Sequence, residues 1–134
     1  MLSLKNYTVA VHNLDEAIEN HANRFGMQKV GERGFNETGK FDFQAMGYGE
    51  TTLLLLCQPT DESPIAKLMS ERRNDFNPHG EGMYLIAYET DDVDAFCNQV
   101  ETNGGRVTRV PGATNAWVHP TSSNFVLMEI LPKF

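Results

Sequence analysis

The feature that most constrains this chain is that its second half repeats its first. A shift of 79 residues lays Leu14-Asp15 on Val93-Asp94 and Gly26 on Gly105, and puts Val30 on Arg109 with Val107 one pleat away. A shift of 74 lays the run Thr52–Leu56 on Val126–Ile130. The difference between the two shifts falls in the loop joining the second and third strands of the repeated unit. A duplicated unit must satisfy one pattern of buried and exposed faces twice, which discards most topologies.

Each copy reads as strand, helix and three further strands. Leu4 to His12 is strand-like, and Asn13 with Glu16 three residues on forms a capping-box pattern. Leu14, Ala17, Ile18, His21, Ala22 and Phe25 recur at helical spacing, with Gly26 placed to stop the helix. A short strand is expected over Gln28–Arg33, a polar loop over Gly34–Lys40, and an alternating strand through Phe41, Phe43 and Ala45. The unbroken apolar run of Thr52–Cys57 predicts a strand buried on both faces. Ser63-Pro64 opens a short helix with the stripe Ile65, Leu68 and Met69, followed by a loop over Arg72–Glu81. The second copy runs through a strand at Met83–Thr90 and a helix with the stripe Val93, Phe96, Cys97 and Val100. Strands at Arg106–Val110, Ala116–His119 and Phe125–Leu131 complete it. The expected architecture is therefore α+β: one domain over 1–134, with two tandem βαβββ modules at about 1–60 and 82–134. A linker helix at about 63–73 joins them, and helices lie outside a curled, cup-like mixed sheet.

Composition excludes several classes of function. The formal charge is −7, which repels nucleic-acid phosphates and anionic membranes, so neither is an expected partner. No apolar run approaches the roughly 18 residues of a membrane span, and the N-terminal stretch is too short and polar for a signal peptide, so the expected location is cytoplasmic. Cys57 and Cys97 lie far apart in apolar runs and read as small buried hydrophobes, not as a disulfide or a zinc knuckle.

Four stretches, in order and properly spaced, resemble the vicinal oxygen chelate (glyoxalase and bleomycin-resistance) superfamily, and its methylmalonyl-CoA epimerase branch in particular. They are Val9-Ala10-Val11-His12-Asn13-Leu14-Asp15-Glu16-Ala17, Ser63-Pro64-Ile65-Ala66-Lys67-Leu68, Ile86-Ala87-Tyr88-Glu89-Thr90-Asp91-Asp92-Val93, and His119-Pro120 followed by Phe125–Ile130. The resemblance implies a cup that holds a divalent cation on four inward side chains. It places those positions at Asn6, Leu55, Leu85 and Glu129, and the repeat gives the same register, since Asn6 maps onto Leu85 and Leu55 onto Glu129. Two leucines cannot ligate a metal and an asparagine carbonyl is a weak ligand. The expectation is therefore a degenerate metal site, with no metal and no cofactor. A metal relocated onto His79 or His119 with Glu129 remains an alternative.

What is left is a carboxylate in an otherwise apolar strand. Burial of Glu129 among Asn6, Thr8, Leu55 and Leu85 should raise its pKa and suit it to acid–base work, with Asn6 or a tyrosine as its hydrogen-bond partner. The epimerase branch also uses a second carboxylate near the third strand, for which Glu37 is the nearest candidate. Phe43, Tyr84, Trp117 and His119 complete the expected ligand-binding set with Asn6, Thr8, Leu55 and Leu85; packing alone also explains each aromatic. The expected function is small-molecule binding or sequestration of an apolar or aromatic ligand, independent of metal. The alternative is a glyoxalase- or epimerase-like isomerase or lyase with Glu129 as the catalytic acid or base. The resemblance also implies a homodimer.

Overall fold

The computed structural model describes residues 1–133, which form two compact units. A continuous unit spans Tyr7–Tyr84, and a split unit joins Met1–Asn6 to the chain from Leu85 onward.

The continuous unit contains most of β1 (Ser3–Ala10), α1 (Leu14–Phe25), β2 (Gln28–Asn36), β3 (Phe41–Tyr48), β4 (Thr51–Pro59) and α2 (Pro64–Arg72). Its strand order is β2-β3-β4-β1, with β1 and β4 parallel and the other pairs antiparallel. The split unit contains β5 (Gly82–Thr90), which starts in the preceding unit, then α3 (Val93–Thr102), β6 (Val107–Arg109), β7 (Ala116–Val118) and β8 (Met128–Pro132). Its strand order is β5-β8-β7-β6. The two units share one pairing scheme. Tyr7 pairs with Leu54 and Ile86 with Met128, which is the same partnership displaced by the two shifts read from the sequence.

Local chemistry sets the helix ends. Asn13 Oδ1 accepts from Glu16 N at 3.0 Å, and Gly26 takes the left-handed conformation at φ 68° that ends α1. Ser63 Oγ accepts from Ala66 N and Pro64 follows at the first helical position of α2. Asp92 Oδ1 does the same for α3, accepting from Ala95 N.

Strand parity divides each sheet into two faces. On one face of the continuous unit, Leu14, Ala17 and Ile18 of α1 pack on Val11, Met46, Leu54 and Leu56. Full burial of a leucine contributes about 1.5–3 kcal/mol, so Leu54 and Leu56 anchor this layer. On the other face, Ile65 and Met69 of α2 pack on Ala10 and Cys57, with Phe41, Phe43, Leu55 and Tyr84 around them. The expectation of helices on the outer faces describes α1 and α3. The linker helix α2 instead closes the second face of its own sheet, because Ile65 and Met69 match the apolar side chains that β1 and β4 present there. In the split unit, Val93 and Cys97 of α3 pack on Ala116, Val118 and Ile130.

Two strand boundaries and one expected burial differ from the sequence reading in ways that matter for the site. The strand expected over Gln28–Arg33 continues to Asn36 through a bulge between Val30 and Gly34. Gly34, which reads as a loop residue, lies instead under the ring of Phe43, where an added Cβ would stand 2.5 Å from Phe43 Cζ. The strand expected from Phe125 begins only at Met128. Asn124 (φ 55°) and Phe125 (φ 66°) are left-handed, and Phe125 N donates to Pro120 O, so an apolar run that looks like a strand is a turn. A one-turn 3₁₀ helix at Pro120–Ser122 precedes it. Finally, the Thr52–Cys57 run is not dry throughout: Leu53 is exposed near the end of its strand.

No helix among the described residues is long and apolar enough to cross a membrane.

Candidate functional site

β8 carries Met128 and Ile130 toward α3, so Glu129 between them projects from the opposite face of the split unit's sheet. Pairing puts Glu129 beside Ala87 of β5 and opposite Trp117 of β7, which share that face. The carboxyl is partly withdrawn from water. Asn115 Nδ2 donates to Glu129 Oε2 at 3.0 Å. Burial pushes the Glu129 pKa up, and the Asn115 hydrogen bond and the charge of Lys5 offset only part of that rise. The result is a carboxyl with one oxygen fixed, set beside an indole and able to hold a proton at higher pH than a solvated glutamate.

The hydrogen-bond partner expected from the sequence, Asn6 or a tyrosine, is therefore replaced by Asn115. Asn115 lies just before the short strand β7 and carries no sequence signal of its own. It becomes visible only when β7 pairs with β8 and brings it alongside.

The other expected site residues fall into two groups. Asn6 is half-buried, Leu85 is buried, and both belong to the split unit with Glu129, Trp117 and His119. His119 is engaged locally: its Nδ1 accepts from Thr121 N and meets Thr121 Oγ1 at 2.7 Å, capping the 3₁₀ turn. Thr8, Phe43, Leu55 and Tyr84 belong to the continuous unit. Thr8 is buried and pairs with Leu55. Phe43, Leu55 and Tyr84 pack around the Ile65–Met69 cluster, which accounts for their burial through α2. Glu37 lies in the exposed turn between β2 and β3.

The four positions to which the family pattern assigns a cation do not fit one in this chain. Leu55 and Leu85 offer no lone pair. Among the described residues, no three His, Cys, Asp or Glu side chains gather closely enough to hold a metal. His79, one of the alternative ligands, is stacked on His12 at 3.6 Å between ring centroids.

The continuous unit also carries a surface groove of about 330 Å³ beside α1. A second concavity lies along α2 from Glu62 to Glu71. Neither includes Glu129, and for acid–base chemistry the half-buried, hydrogen-bonded carboxyl is the guide.

A family model described as the glyoxalase/bleomycin resistance protein/dioxygenase superfamily matches residues 7–119, and the chain belongs to that family. Within it, the particular likenesses are to lyases and epimerases. A probable chloroplastic lactoylglutathione lyase of Arabidopsis thaliana is 31% identical over 102 residues, covering 76% of this chain but 26% of the plant protein, so the chain spans about a quarter of that relative. The crystal structure of methylmalonyl-CoA epimerase from Mycobacterium tuberculosis is 27% identical with a TM-score of 0.80, covering 98% of this chain and 87% of that one. A Bacillus halodurans protein described as hypothetical is 25% identical with a TM-score of 0.82, covering 99% and 95%.

Proposed function

We propose that this chain is a small-molecule isomerase or lyase whose proton-moving group is Glu129, acting without the family's cation. The observation that carries the reading is the Glu129 carboxyl itself: partly desolvated, raised in pKa, and held at one oxygen by Asn115. An acid whose pKa is raised in this way holds and returns a proton at higher pH than a solvated glutamate, which suits isomerisation next to a carbonyl. The deprotonated carboxylate takes a proton from the carbon beside the carbonyl, leaving the electron pair as an enolate, and returns the proton to a neighbouring atom or to the opposite face of the same carbon once the enolate has turned. Trp117, its cross-strand neighbour, offers an apolar surface for a flat ligand. Relatives named for reactions on lactoylglutathione and methylmalonyl-CoA support a thioester or a related carbonyl compound as the ligand.

The test is exchange of the ligand's α-proton with deuterium, followed by NMR in heavy water with a chelator present, using methylmalonyl-CoA and lactoylglutathione as probes. Wild-type protein should catalyse exchange of one of them. Glu129→Gln should slow it about 100-fold or more while changing affinity only a few fold. Exchange that survives Glu129→Gln, or that needs an added divalent cation, would overturn the reading.

A second reading, sequestration without turnover, is favoured by Leu55 and Leu85 at the vacated ligand positions. It predicts binding of a probe with no exchange, and unchanged binding with Glu129→Gln. In either case we propose a homodimer in the cytoplasm; sedimentation as a monomer at micromolar concentration would refute the assembly.

A further inference from the structure

A second constellation lies well apart in sequence from Glu129, in the continuous unit. Glu81 is held at one carboxylate oxygen and at both of its backbone polar groups. Its Oε2 accepts from His12 N at 2.9 Å and pairs with His12 Nδ1 at 2.8 Å. Its backbone N–H donates to Asn77 Oδ1, and its carbonyl accepts from Asn77 Nδ2. His79 stacks on the His12 ring with 7° between the planes. Gly80 between them sits at φ 65°, with no room for a side chain against Met69 O, so the loop adopts a bend that only glycine tolerates. Because a carboxylate only accepts, His12 Nδ1 is the donor. His21 is set the same way, since Ala17 O can only accept from its Nδ1 at 2.8 Å.

Of these residues, His12, His21 and Glu81 line one surface groove of about 330 Å³. Its floor is apolar, with Val9, Val11 and Ala17. Its charges are separated along α1. Glu16 and Glu81 stand at the end where the helix begins, and Arg24 at the end where it finishes. Eight residues of helix put Glu16 and Arg24 about 12 Å apart. A three-residue peptide, fully extended, spans roughly 10–11 Å between its charged ends.

We infer that this groove is a second binding site, for a short zwitterionic peptide or a molecule of that charge pattern. The ligand's ammonium group lies against Glu16 and the free Oε1 of Glu81, its carboxylate against Arg24, and its apolar middle on Val9, Val11 and Ala17. The site is independent of Glu129 and of the acid–base reading.

The probe is glycyl-leucyl-glycine, titrated into ¹⁵N-labelled full-length protein and followed by amide chemical shifts. Saturable shifts are expected at His12, Ala17, Asn20 and Glu81, with a Kd below about 1 mM. Arg24→Gln and Glu16→Gln, both changes on an exposed helix face, should each weaken binding at least 5-fold. The N-acetylated, C-amidated peptide should bind at least 10-fold more weakly than the free one. Equal binding of capped and free peptides, shifts centred elsewhere, or no shifts at 10 mM probe would each overturn the proposal.

Discussion

The continuous and split units are two copies of one plan whose second faces have gone different ways. In the continuous unit the face turned away from α1 is sealed by its own extra helix: Ile65 and Met69 cover Ala10 and Cys57, and Leu55 packs at the margin of that cluster. In the split unit the face turned away from α3 bears Trp117 and Glu129. The comparison is sharpest at one pair of equivalent positions. Leu55 is paired with Thr8 in a parallel ladder; Glu129 occupies the same place in the other ladder and is paired with Ala87. A duplicated fold can thus give one copy over to packing and keep a titrating group on the other, because the ladder hydrogen bonds do not depend on which side chain stands at the position.

The largest test of this division is removal of the seal. Ile65 is 1% exposed, and Ile65→Ala should cost about 2–5 kcal/mol in urea unfolding. A cost below about 1 kcal/mol would mean that α2 is a loosely attached linker and that the two second faces do not differ in kind.

Exchanging the two side chains tests the same contrast at smaller scale. Leu55→Glu should destabilise by about 1–3 kcal/mol, by placing an unpaired carboxyl beside the Ile65–Met69 cluster. Glu129→Leu should be neutral or stabilising by up to about 1–3 kcal/mol, because it removes a desolvated acid. Equal and opposite effects of the wrong sign would show that Glu129 supports the fold, as a paired structural carboxylate does.

The smallest effect, and the most specific, is in pH dependence, where the units carry carboxyls of opposite character. Burial raises the Glu129 pKa above its ordinary 4.5. The folded state therefore holds that proton more tightly, and the desolvation cost appears as pH rises from about 4.5 through the elevated value. For Glu81, burial pushes upward but is outweighed by the hydrogen bonds from His12 and the charges of His12 and His79, leaving it below its ordinary 4.5. Its contribution is present above that value and is lost as pH falls through the lowered one. Thermal melts should show the advantage of Glu129→Gln over wild type growing between pH 4 and neutrality. The deficit of Glu81→Gln should shrink as pH falls through the acid range. Parallel pH profiles for the two variants would erase the distinction.

Much of the fold is legible in the sequence because its signals are local or doubled. The Asn13 cap, the Gly26 stop and the Ser63-Pro64 start depend only on neighbouring residues, and the repeat implies that whatever register one parallel ladder has, the other shares. What the sequence hides depends on partners distant in the chain. Gly34 belongs to a strand because Phe43 lies over it; α2 seals a face because of side chains on β1 and β4; Asn115 reaches Glu129 because β7 pairs with β8. Phe125 misleads for a different reason. An aromatic residue in an apolar run favours a strand, and only the left-handed backbone shared with Asn124 reveals a turn.

The split unit's division along the chain bears on how the protein is made. Leu2 packs against the cluster built from Val93, Cys97 and Ile130, so this core joins segments made far apart in time. The continuous unit can pair β1 with β4 once synthesis has passed Pro59. The split unit must wait for β8, made long after Met1–Asn6. The unit that bears Glu129 is therefore the later to close, and a pause in translation between Leu85 and Met128 would leave a nascent chain whose scaffold is built and whose acid is not yet in place.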